Sequence, residues 1–260
     1  MSLHIEHEQF FVDDVNVQIY PDKRSLGQAA AAFVAGELNN AIGERGEANL
    51  VLATGVSQYE FLAALLDRDD VDWSRVTAFH LDEYLGLAAG HPASFRRYLQ
   101  ERFFQHVDLR AFHLLQGDAP DSAAEIARYT ALFDSHPIDV ACIGIGENGH
   151  LAFNDPPADF DTDARILVVD LDEACRRQQV GEGHFPGLEA VPPQALSMSI
   201  PAILSARTIS CVAPDARKAA AVQCALEGPI TPTCPASALR KHHHCRLFLD
   251  PASAAQLTLR

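Results

Sequence analysis

The sequence has no apolar stretch that approaches the ~20 residues needed to cross a bilayer, so membrane insertion is not expected. The first eight residues, MSLHIEHE, also lack the apolar core of a signal peptide, which predicts a cytoplasmic location. Basic residues are scarce, since 20 lysines and arginines stand against 35 acidic residues, a net charge of −15. Nucleic acid is therefore not an expected partner, because binding its phosphate backbone needs a basic face.

Closely spaced cysteines are missing as well. None of the six cysteines lies in the C-x-x-C pattern typical of metal or redox sites, and disulfides are not expected in the cytoplasm. The run Lys241–Cys245, KHHHC, invites a metal interpretation, but consecutive side chains on a strand alternate between faces and cannot converge on one ion. Zinc sites usually use spaced ligands. We therefore expect neither a metal nor another cofactor.

The chain does contain a repeated alternation of apolar strand-like runs and helical stretches. This pattern predicts an α/β, Rossmann-like fold with a mostly parallel sheet and helices on both faces. The 260 residues fit one domain, residues 1–260. Segment 159–193 is the least regular and is expected to be an active-site lid, because long irregular loops are often functional. The predicted strands are 15–20, 50–53, 76–81, 138–145, 166–169, 195–200, 209–213 and 246–249, and the predicted helices are 25–44, 58–66, 94–104, 123–135, 201–206 and 216–226.

The most informative segment is Gly144–Pro157, GIGENGHLAFNDPP, which follows a buried apolar run. Its glycines let the backbone approach a ligand, and His150 lies where α/β folds place their chemistry. A histidine can move protons near neutral pH, and Asn148 and Asp155 are candidates to orient its ring. A Gly-rich turn with a surface histidine is the alternative interpretation.

A pair of adjacent carboxylates, Asp82 and Glu83, follows predicted strand 76–81. Neighbouring carboxylates raise each other's pKa, which can poise one of them as a base. A solvated acidic turn is the alternative. Downstream, Ser94 is expected to cap a helix.

Two further strand ends suit a phosphate. Thr54, Gly55 and Ser57 form a turn into a helix, where free N–H groups and hydroxyls converge, although ordinary capping by Thr54 or Ser57 also explains them. The turn matches neither a Walker loop nor a dinucleotide fingerprint. Lys218 stands in the first turn of another helix, where a cation opposes the helix dipole unless it faces an anion. A solvated lysine is the alternative.

These four segments, together and in this order, resemble the glucosamine-6-phosphate deaminase family within the wider superfamily of glucosamine-6-phosphate isomerases and 6-phosphogluconolactonases. The similarity runs from about residue 50 to residue 251. Its most specific matches are DEYLGL from Asp82, GHLAFN from Gly149, EGP from Glu227 and PASAL from Pro235. The continuation AFNDP resembles the deaminases, whereas the lactonases have TASLFP after the Gly-His pair.

The resemblance implies an aldose–ketose isomerase and deaminase that converts an amino-sugar 6-phosphate into fructose 6-phosphate and ammonia. It implies that Asp82 moves a proton between C2 and C1 of the open-chain sugar, that His150 assists ring opening, and that Asp155, with Asn148, orients His150. The implied substrate- and phosphate-binding residues are Thr54, Gly55, Ser57, Gln58, Gly144 and Lys218.

The chain departs from the family pattern at its catalytic and phosphate-binding motifs. Asn148 stands where the family commonly has Asp, and an amide cannot stabilise an imidazolium as a carboxylate does. Gln179 aligns with the phosphate-binding arginine of the lid, so Arg176 or Arg177, one turn earlier, is expected to substitute for it. Gln58 follows Ser57 where many deaminases have Thr-Pro.

Regulation by N-acetylglucosamine 6-phosphate is not expected. Regulated members use a serine, an arginine and a lysine after the histidine motif, and the residues aligned with them here are Ala158, Arg165 and Leu167. Two of the three are therefore missing.

Two other functions remain open. A lactone hydrolase of the 6-phosphogluconolactonase kind would use His150 as a base on water and would not need Asp82. A sugar-phosphate sensor would keep the pocket and lose the chemistry, and Asn148 is its best support. Retention of Asp82, His150 and Asp155 together favours an enzyme, because binding alone needs no proton-transfer groups. The expected partner is a small sugar phosphate, and a homo-oligomer is possible.

Overall fold

The computed structural model describes residues 7–259. Residues 1–6, which carry most of the segment considered for a signal peptide, lie outside the described residues. The strands are β1 (Glu8–Val12), β2 (Val15–Ile19), β3 (Ala48–Leu52), β4 (Val76–His80), β5 (Asp82–Tyr84), β6 (Ala111–His113), β7 (Val140–Ile143), β8 (Ile166–Asp170), β9 (Gln194–Met198), β10 (Thr208–Val212) and β11 (Cys245–Leu249). The helices are α1 (Lys23–Arg45), α2 (Tyr59–Leu66), α3 (Phe95–Arg102), α4 (Ser122–Ser135), α5 (Glu173–Gly181), α6 (Ile200–Leu204) and α7 (Ala219–Glu227).

The main sheet has eight strands in the order β1-β2-β11-β10-β7-β3-β4-β6. Only the pairing of β1 with β2 is antiparallel, and the six other pairings are parallel. The α/β fold and the mostly parallel sheet expected from the sequence are thus confirmed. The chain order reverses direction between β3 and β7, and this switch point is where open parallel sheets form their binding crevice.

Both faces of the main sheet are covered. Successive residues of its central strands pack alternately into two cores, so Leu50 and Leu52 of β3 face one core and Val51 faces the other. The first core lies under α1 and α2, and the second includes residues of α4, α6 and α7. This double burial explains why these strands read as continuous apolar runs rather than alternating ones.

A second, three-stranded sheet in the order β5-β9-β8 is antiparallel throughout. The predicted strands 166–169 and 195–200 belong to this antiparallel sheet rather than to the main sheet. Its shortest strand, β5, begins at Asp82, immediately after Leu81 and the end of β4. The small sheet therefore holds the chain that leaves the main sheet at Asp82.

Segment 159–193 is more regular than the sequence indicated. It contains β8, the nine-residue helix α5 and a short 3-10 turn at Leu188–Ala190. Helix α5 was not predicted, because most of its residues are polar or charged and its two buried residues, Cys175 and Gln179, include only one that is apolar. Among the described residues, none of the helices is both long and apolar enough to cross a membrane.

Candidate active site

A cleft lies over the carboxyl ends of β3, β4, β7 and β10, four adjacent strands of the main sheet. The lining residues include Thr54, Gly55, Ser57, Asp82, Gly144, His150 and Lys218, all of which the sequence singled out. The parallel sheet therefore brings the four motifs to one place.

Asp82 and Glu83 point to different environments, as successive residues of a strand must. Asp82 lines the cleft and is only 6% exposed. Burial, and then the charge of Glu83, raises the pKa of Asp82 well above its ordinary value. A buried carboxylate with a raised pKa is a stronger base than one in water.

Glu83 has a structural task at the start of α3. Its carboxylate accepts hydrogen bonds from the Ser94 hydroxyl at 2.7 Å, from the backbone N–H groups of Phe95 at 3.2 Å and Arg96 at 3.0 Å, and from the Arg96 guanidinium at 3.2 Å. Ser94 precedes α3 as expected, but its hydroxyl binds Glu83 rather than the helix backbone. The two adjacent carboxylates thus have different roles. Asp82 lines the cleft, and Glu83 stabilises the start of α3.

His150 is held against Asp155 and Gly146. Its Nδ1 lies 3.0 Å from Oδ1 of Asp155, which leaves Nε2 as the ring nitrogen available to a ligand. A Cβ atom on Gly146 would lie 2.2 Å from Nε2, so only glycine lets the backbone pass this close to the imidazole. The glycines of the segment therefore serve the placement of the histidine.

Asn148 does not contact the imidazole. Its side-chain oxygen accepts the backbone N–H of His150 at 3.1 Å, and its amide nitrogen donates to Asp155 at 2.9 Å and to Asp172 at 3.3 Å. The interpretation of Asn148 as a ring partner was therefore wrong, whereas Asp155 does contact the ring. The amide is a donor between two carboxylates, a position in which a third carboxylate would be repelled.

Asp155 collects three hydrogen bonds. Besides His150 and Asn148, the backbone N–H of Asp172 donates to it at 3.1 Å. Burial alone would raise the pKa of Asp155, but these partners, His150 first among them, hold that pKa below its ordinary value. Asp155 is thus an anion fixed beside the histidine. Asp172, which sequence reasoning missed, is the N-cap of α5 and belongs to this arrangement.

The turn after β3 presents unpaired backbone donors. Gly55 has a φ of 104°, a conformation that favours glycine, and its carbonyl accepts the Tyr98 hydroxyl at 2.8 Å. Within residues 7–259, no hydrogen bond is made by the backbone N–H groups of residues 55–57. Helix α2 receives no side-chain cap, so capping by Thr54 or Ser57 does not explain this turn.

Gln58 lies behind the turn rather than in the cleft. It is 1% exposed, and its Nε2 lies 3.2 Å from the Ser57 hydroxyl and 3.4 Å from the carbonyl of Val212. The expectation that Gln58 binds the ligand directly is therefore wrong. Gln58 instead hydrogen-bonds the Ser57 side chain from outside the cleft.

Lys218 closes the other side of this end of the cleft. It is the last residue of a 3-10 turn and the N-cap of α7, and it is 4% exposed. Burial lowers the pKa of Lys218, while nearby carboxylates, Glu182 first, oppose that shift. Its ammonium has no hydrogen-bond or ion-pair partner in the part of the chain that the structure describes. A buried, unpaired ammonium is suited to an anionic ligand.

Helix α5 and the residue that follows it contribute side chains that sequence reasoning did not assign to the cleft. Gln178 and Gln179 of α5 line it, and so does Glu182. The side-chain oxygen of Gln179 accepts the Tyr84 hydroxyl at 2.7 Å, and Phe153 packs on Tyr84 with ring centroids 5.1 Å apart. This end of α5 is therefore anchored to an aromatic wall of the cleft.

Neither expected arginine of α5 reaches the cleft. Arg176 donates to the carbonyls of Leu188 and Val191, and the exposed Arg177 pairs with Glu173. The prediction that one of them replaces the lid arginine is wrong, because both point away from the cleft. The arginine that lines it is Arg217, which pairs with Glu147 at 3.0 Å; its neighbour Lys218 gave the only signal for it in the sequence.

Backbone strain accompanies the site. Among the described residues, three that are not glycine have positive φ, and two of them, Ala152 at 52° and Asp215 at 85°, line the cleft. Such conformations cost free energy and concentrate at functional sites. The two strained residues therefore lie in the segments that carry His150 and Lys218.

The three histidines of the KHHHC run contact different parts of the structure. His242 bonds to the Ala206 carbonyl at 2.8 Å, His243 is exposed beside Asp14, and His244 lies 3.0 Å from the Thr208 hydroxyl. In the described range, the one group of side chains close enough to share an ion is His150, Asp155 and Cys175, and the first two already bind each other.

The fold and the cleft define an α/β enzyme whose site lies at the switch point of a parallel sheet. Residues 21–248 match the model of a family described as glucosamine-6-phosphate isomerases/6-phosphogluconolactonase. A glucosamine-6-phosphate deaminase of Exiguobacterium sp. is 41% identical over 210 residues, 80% of each chain. One of Listeria monocytogenes is 40% identical over 215 residues, 82% of this chain and 89% of the relative. The chain belongs to this family of glucosamine-6-phosphate isomerases and 6-phosphogluconolactonases.

Solved structures agree with this assignment. A monomeric glucosamine-6-phosphate deaminase superposes with a TM-score of 0.84 at 34% identity, covering 93% of this chain and 99% of that one. A 6-phosphogluconolactonase from Shewanella baltica superposes with a TM-score of 0.72 at 21% identity, covering 90% of this chain and 96% of that one. The second likeness shows a shared fold.

Proposed function

We propose that this enzyme isomerises and deaminates an amino-sugar 6-phosphate of the glucosamine 6-phosphate type, giving fructose 6-phosphate and ammonia. The observation that carries the proposal is that one cleft combines three features. These are the buried carboxylate Asp82, the His150–Asp155 pair, and an end suited to a phosphate, which is formed by the turn after β3 and Lys218. A binding protein has no need for two separate proton-transfer groups.

His150 opens the sugar ring in this proposal. Its Nε2 takes the proton of the anomeric hydroxyl and returns a proton to the ring oxygen, which breaks the bond between C1 and that oxygen. Asp155, an anion 3.0 Å from Nδ1, fixes the ring and stabilises the imidazolium that forms between the two transfers. Asn148 acts on this pair indirectly, by holding Asp155 and the backbone of His150.

Asp82 carries out the isomerisation. Its carboxylate removes the proton from C2 of the open-chain aldehyde and delivers a proton to C1, while O1 gains a proton and the amine loses one, so that C1 becomes a CH2OH group and C2 an imine. Water then adds to C2, ammonia leaves, and the ketone of fructose 6-phosphate remains. One carboxylate can reach two adjacent carbons, and its raised pKa makes it a better base for a carbon acid.

The phosphate lies, by this proposal, between Lys218 and the turn that contains Thr54, Gly55 and Ser57. Backbone N–H groups at a helix start and one ammonium are a common anion-binding combination. Gly144 follows β7 and lines the cleft, where its backbone would contact the sugar. A Cβ atom there would lie 3.0 Å from Nε2 of Gln58, so glycine lets this strand end pack closely against the turn after β3. Binding the remote phosphate supplies energy for positioning the reacting carbons.

We extend the proposal to the organisation of the chain. Residues 1–260 act as one sugar-phosphate domain, and residues 159–193 act as its lid, because Gln178, Gln179 and Glu182 of that segment line the cleft. The enzyme works in the cytoplasm on a small sugar phosphate, and a homo-oligomer stays a prediction.

The proposal is tested by incubating purified protein with glucosamine 6-phosphate and with galactosamine 6-phosphate. Ammonia and the ketose 6-phosphate are measured together and should appear in equal amounts from at least one of the two substrates. Absence of both products with both sugars would refute the deaminase activity. Hydrolysis of 6-phosphogluconolactone, measured in parallel and retained by Asp82→Asn, would point to the lactonase instead.

A further inference from the structure

Glu182 follows the last residue of α5 and lines the same cleft as Lys218. Its side chain is 6% exposed. Gln178 donates to its Oε1 at 2.8 Å, and Nε2 of His184 lies 3.4 Å from its Oε2. The carboxylate is therefore buried and held in place by its own lid segment.

Glu182 is an anion at this position. Burial alone would raise the pKa of Glu182, but His184, Gln178 and the charge of Lys218 outweigh it and hold the pKa below its ordinary value. The interaction is mutual, since Glu182 is the strongest charge that favours protonated Lys218. The ammonium and the carboxylate thus compensate each other within one cleft, and no direct ion pair joins them among the described residues.

The other cations at this end of the cleft are already matched. Arg217 pairs with Glu147 at 3.0 Å, and Lys23 pairs with Asp215 at 2.5 Å. A phosphate that enters beside Lys218 therefore meets the negative charge of Glu182, and among the described residues that line the cleft no other unpaired cation offsets it. An enzyme that only needed to bind phosphate would gain from a neutral residue here.

We propose that Glu182 is the internal counter-ion of Lys218 in the empty cleft and determines how strongly the anionic end of the substrate binds. This inference rests on the proposed function for the identity of the substrate. The phosphate must compete with Glu182 for Lys218, so the carboxylate weakens binding of the phosphorylated sugar and of any other anion that enters. Glu182 is thus a specificity-determining residue, not a catalytic one.

The test compares Glu182→Gln with Glu189→Gln. Glu189 is exposed on the same lid segment outside the cleft lining, so the control removes the same charge nearby. Glu182→Gln should bind inorganic phosphate roughly tenfold more tightly in calorimetry, and its KM for glucosamine 6-phosphate should fall by a similar factor. Glu189→Gln should change neither value appreciably. Thermal unfolding of each variant checks the fold, and Glu182→Met replaces Glu182→Gln should the latter not fold.

Selectivity gives a second readout. The ratio of kcat/KM for glucosamine 6-phosphate to that for glucosamine should rise in Glu182→Gln, because only the phosphorylated sugar carries the anion. An unchanged or weaker phosphate affinity in Glu182→Gln, or an equal gain for both sugars, would overturn the inference. Phosphate calorimetry needs no turnover, so it decides the role of Glu182 even where the wild-type enzyme proves inactive on amino sugars.

Discussion

Replacing Asn148 with aspartate, the residue more common in the family, should impair this enzyme rather than improve it. The amide nitrogen donates to Asp155 at 2.9 Å and to Asp172 at 3.3 Å. A carboxylate there would lose both hydrogen bonds and place a third negative charge beside two others. Asn148, as a hydrogen-bond donor, is therefore suited to its position beside Asp155 and Asp172.

The size of the effect follows from the geometry. Two unit charges about 4 Å apart repel by about 4 kcal/mol at an effective dielectric constant of about 20. Protonating the new carboxyl instead costs a similar amount at pH 7, about 4 kcal/mol for an ordinary pKa near 3.9. Partial solvent access reduces this penalty, so we expect kcat/KM of Asn148→Asp to fall by about two orders of magnitude.

The assay is steady-state ammonia release as a function of pH, with Asn148→Ala as the control. The alanine variant loses all three hydrogen bonds of the side chain without adding charge, so its loss relative to the wild type should be the same at every pH. The defect of Asn148→Asp should shrink toward pH 5, because a protonated carboxyl can donate as the amide does. Full activity of Asn148→Asp at pH 7, with no such pH dependence, would refute this reasoning.

Three further predictions concern the cleft. Asp82→Asn should raise the thermal unfolding temperature at pH 7. The reason is that ionisation of a group with a raised folded-state pKa costs stability as pH rises above about 4. In thermal scans at several pH values the gain should vanish toward pH 3, and a gain that is independent of pH would contradict the prediction. Lys218→Gln should raise KM for the phosphorylated sugar about 10- to 100-fold, since hydrogen bonds to charged groups contribute about 1.5–3 kcal/mol, while the exposed Lys241→Gln serves as control. Gly146→Ala should displace the imidazole, because the new Cβ would lie 2.2 Å from Nε2 of His150. We expect loss of activity with an unchanged circular dichroism spectrum. Retained activity would contradict the prediction, because it would show that the position of the ring does not matter for catalysis.

Much of the fold and of the site could be predicted because the signals were local. Strands such as β3 and β7 are buried on both faces and read as short apolar runs before glycine turns. The motifs at their ends then met in space because parallel strands share one carboxyl edge. Strands β5 and β6 have three residues each, too few for a periodic pattern.

The remainder depended on tertiary contacts that no local pattern carries. The direction in which Arg176 points is set by the carbonyls of Leu188 and Val191, which become neighbours only once the lid segment folds back. In the sequence, Glu182 looks like an ordinary surface charge at the end of a polar segment. The bonding of Asn148 depends on Asp172, 24 residues later, which is brought near by the start of α5.

The central claim is most directly tested by measuring ammonia release from glucosamine 6-phosphate by the wild-type enzyme and by Asp82→Asn under the same conditions. The proposed mechanism predicts stoichiometric ammonia and fructose 6-phosphate from the wild type. In the variant, which should still bind inorganic phosphate, the rate should fall by about 10²- to 10⁴-fold, the usual contribution of a general base. Wild-type protein that releases no ammonia, or a variant that keeps the wild-type rate, would contradict it.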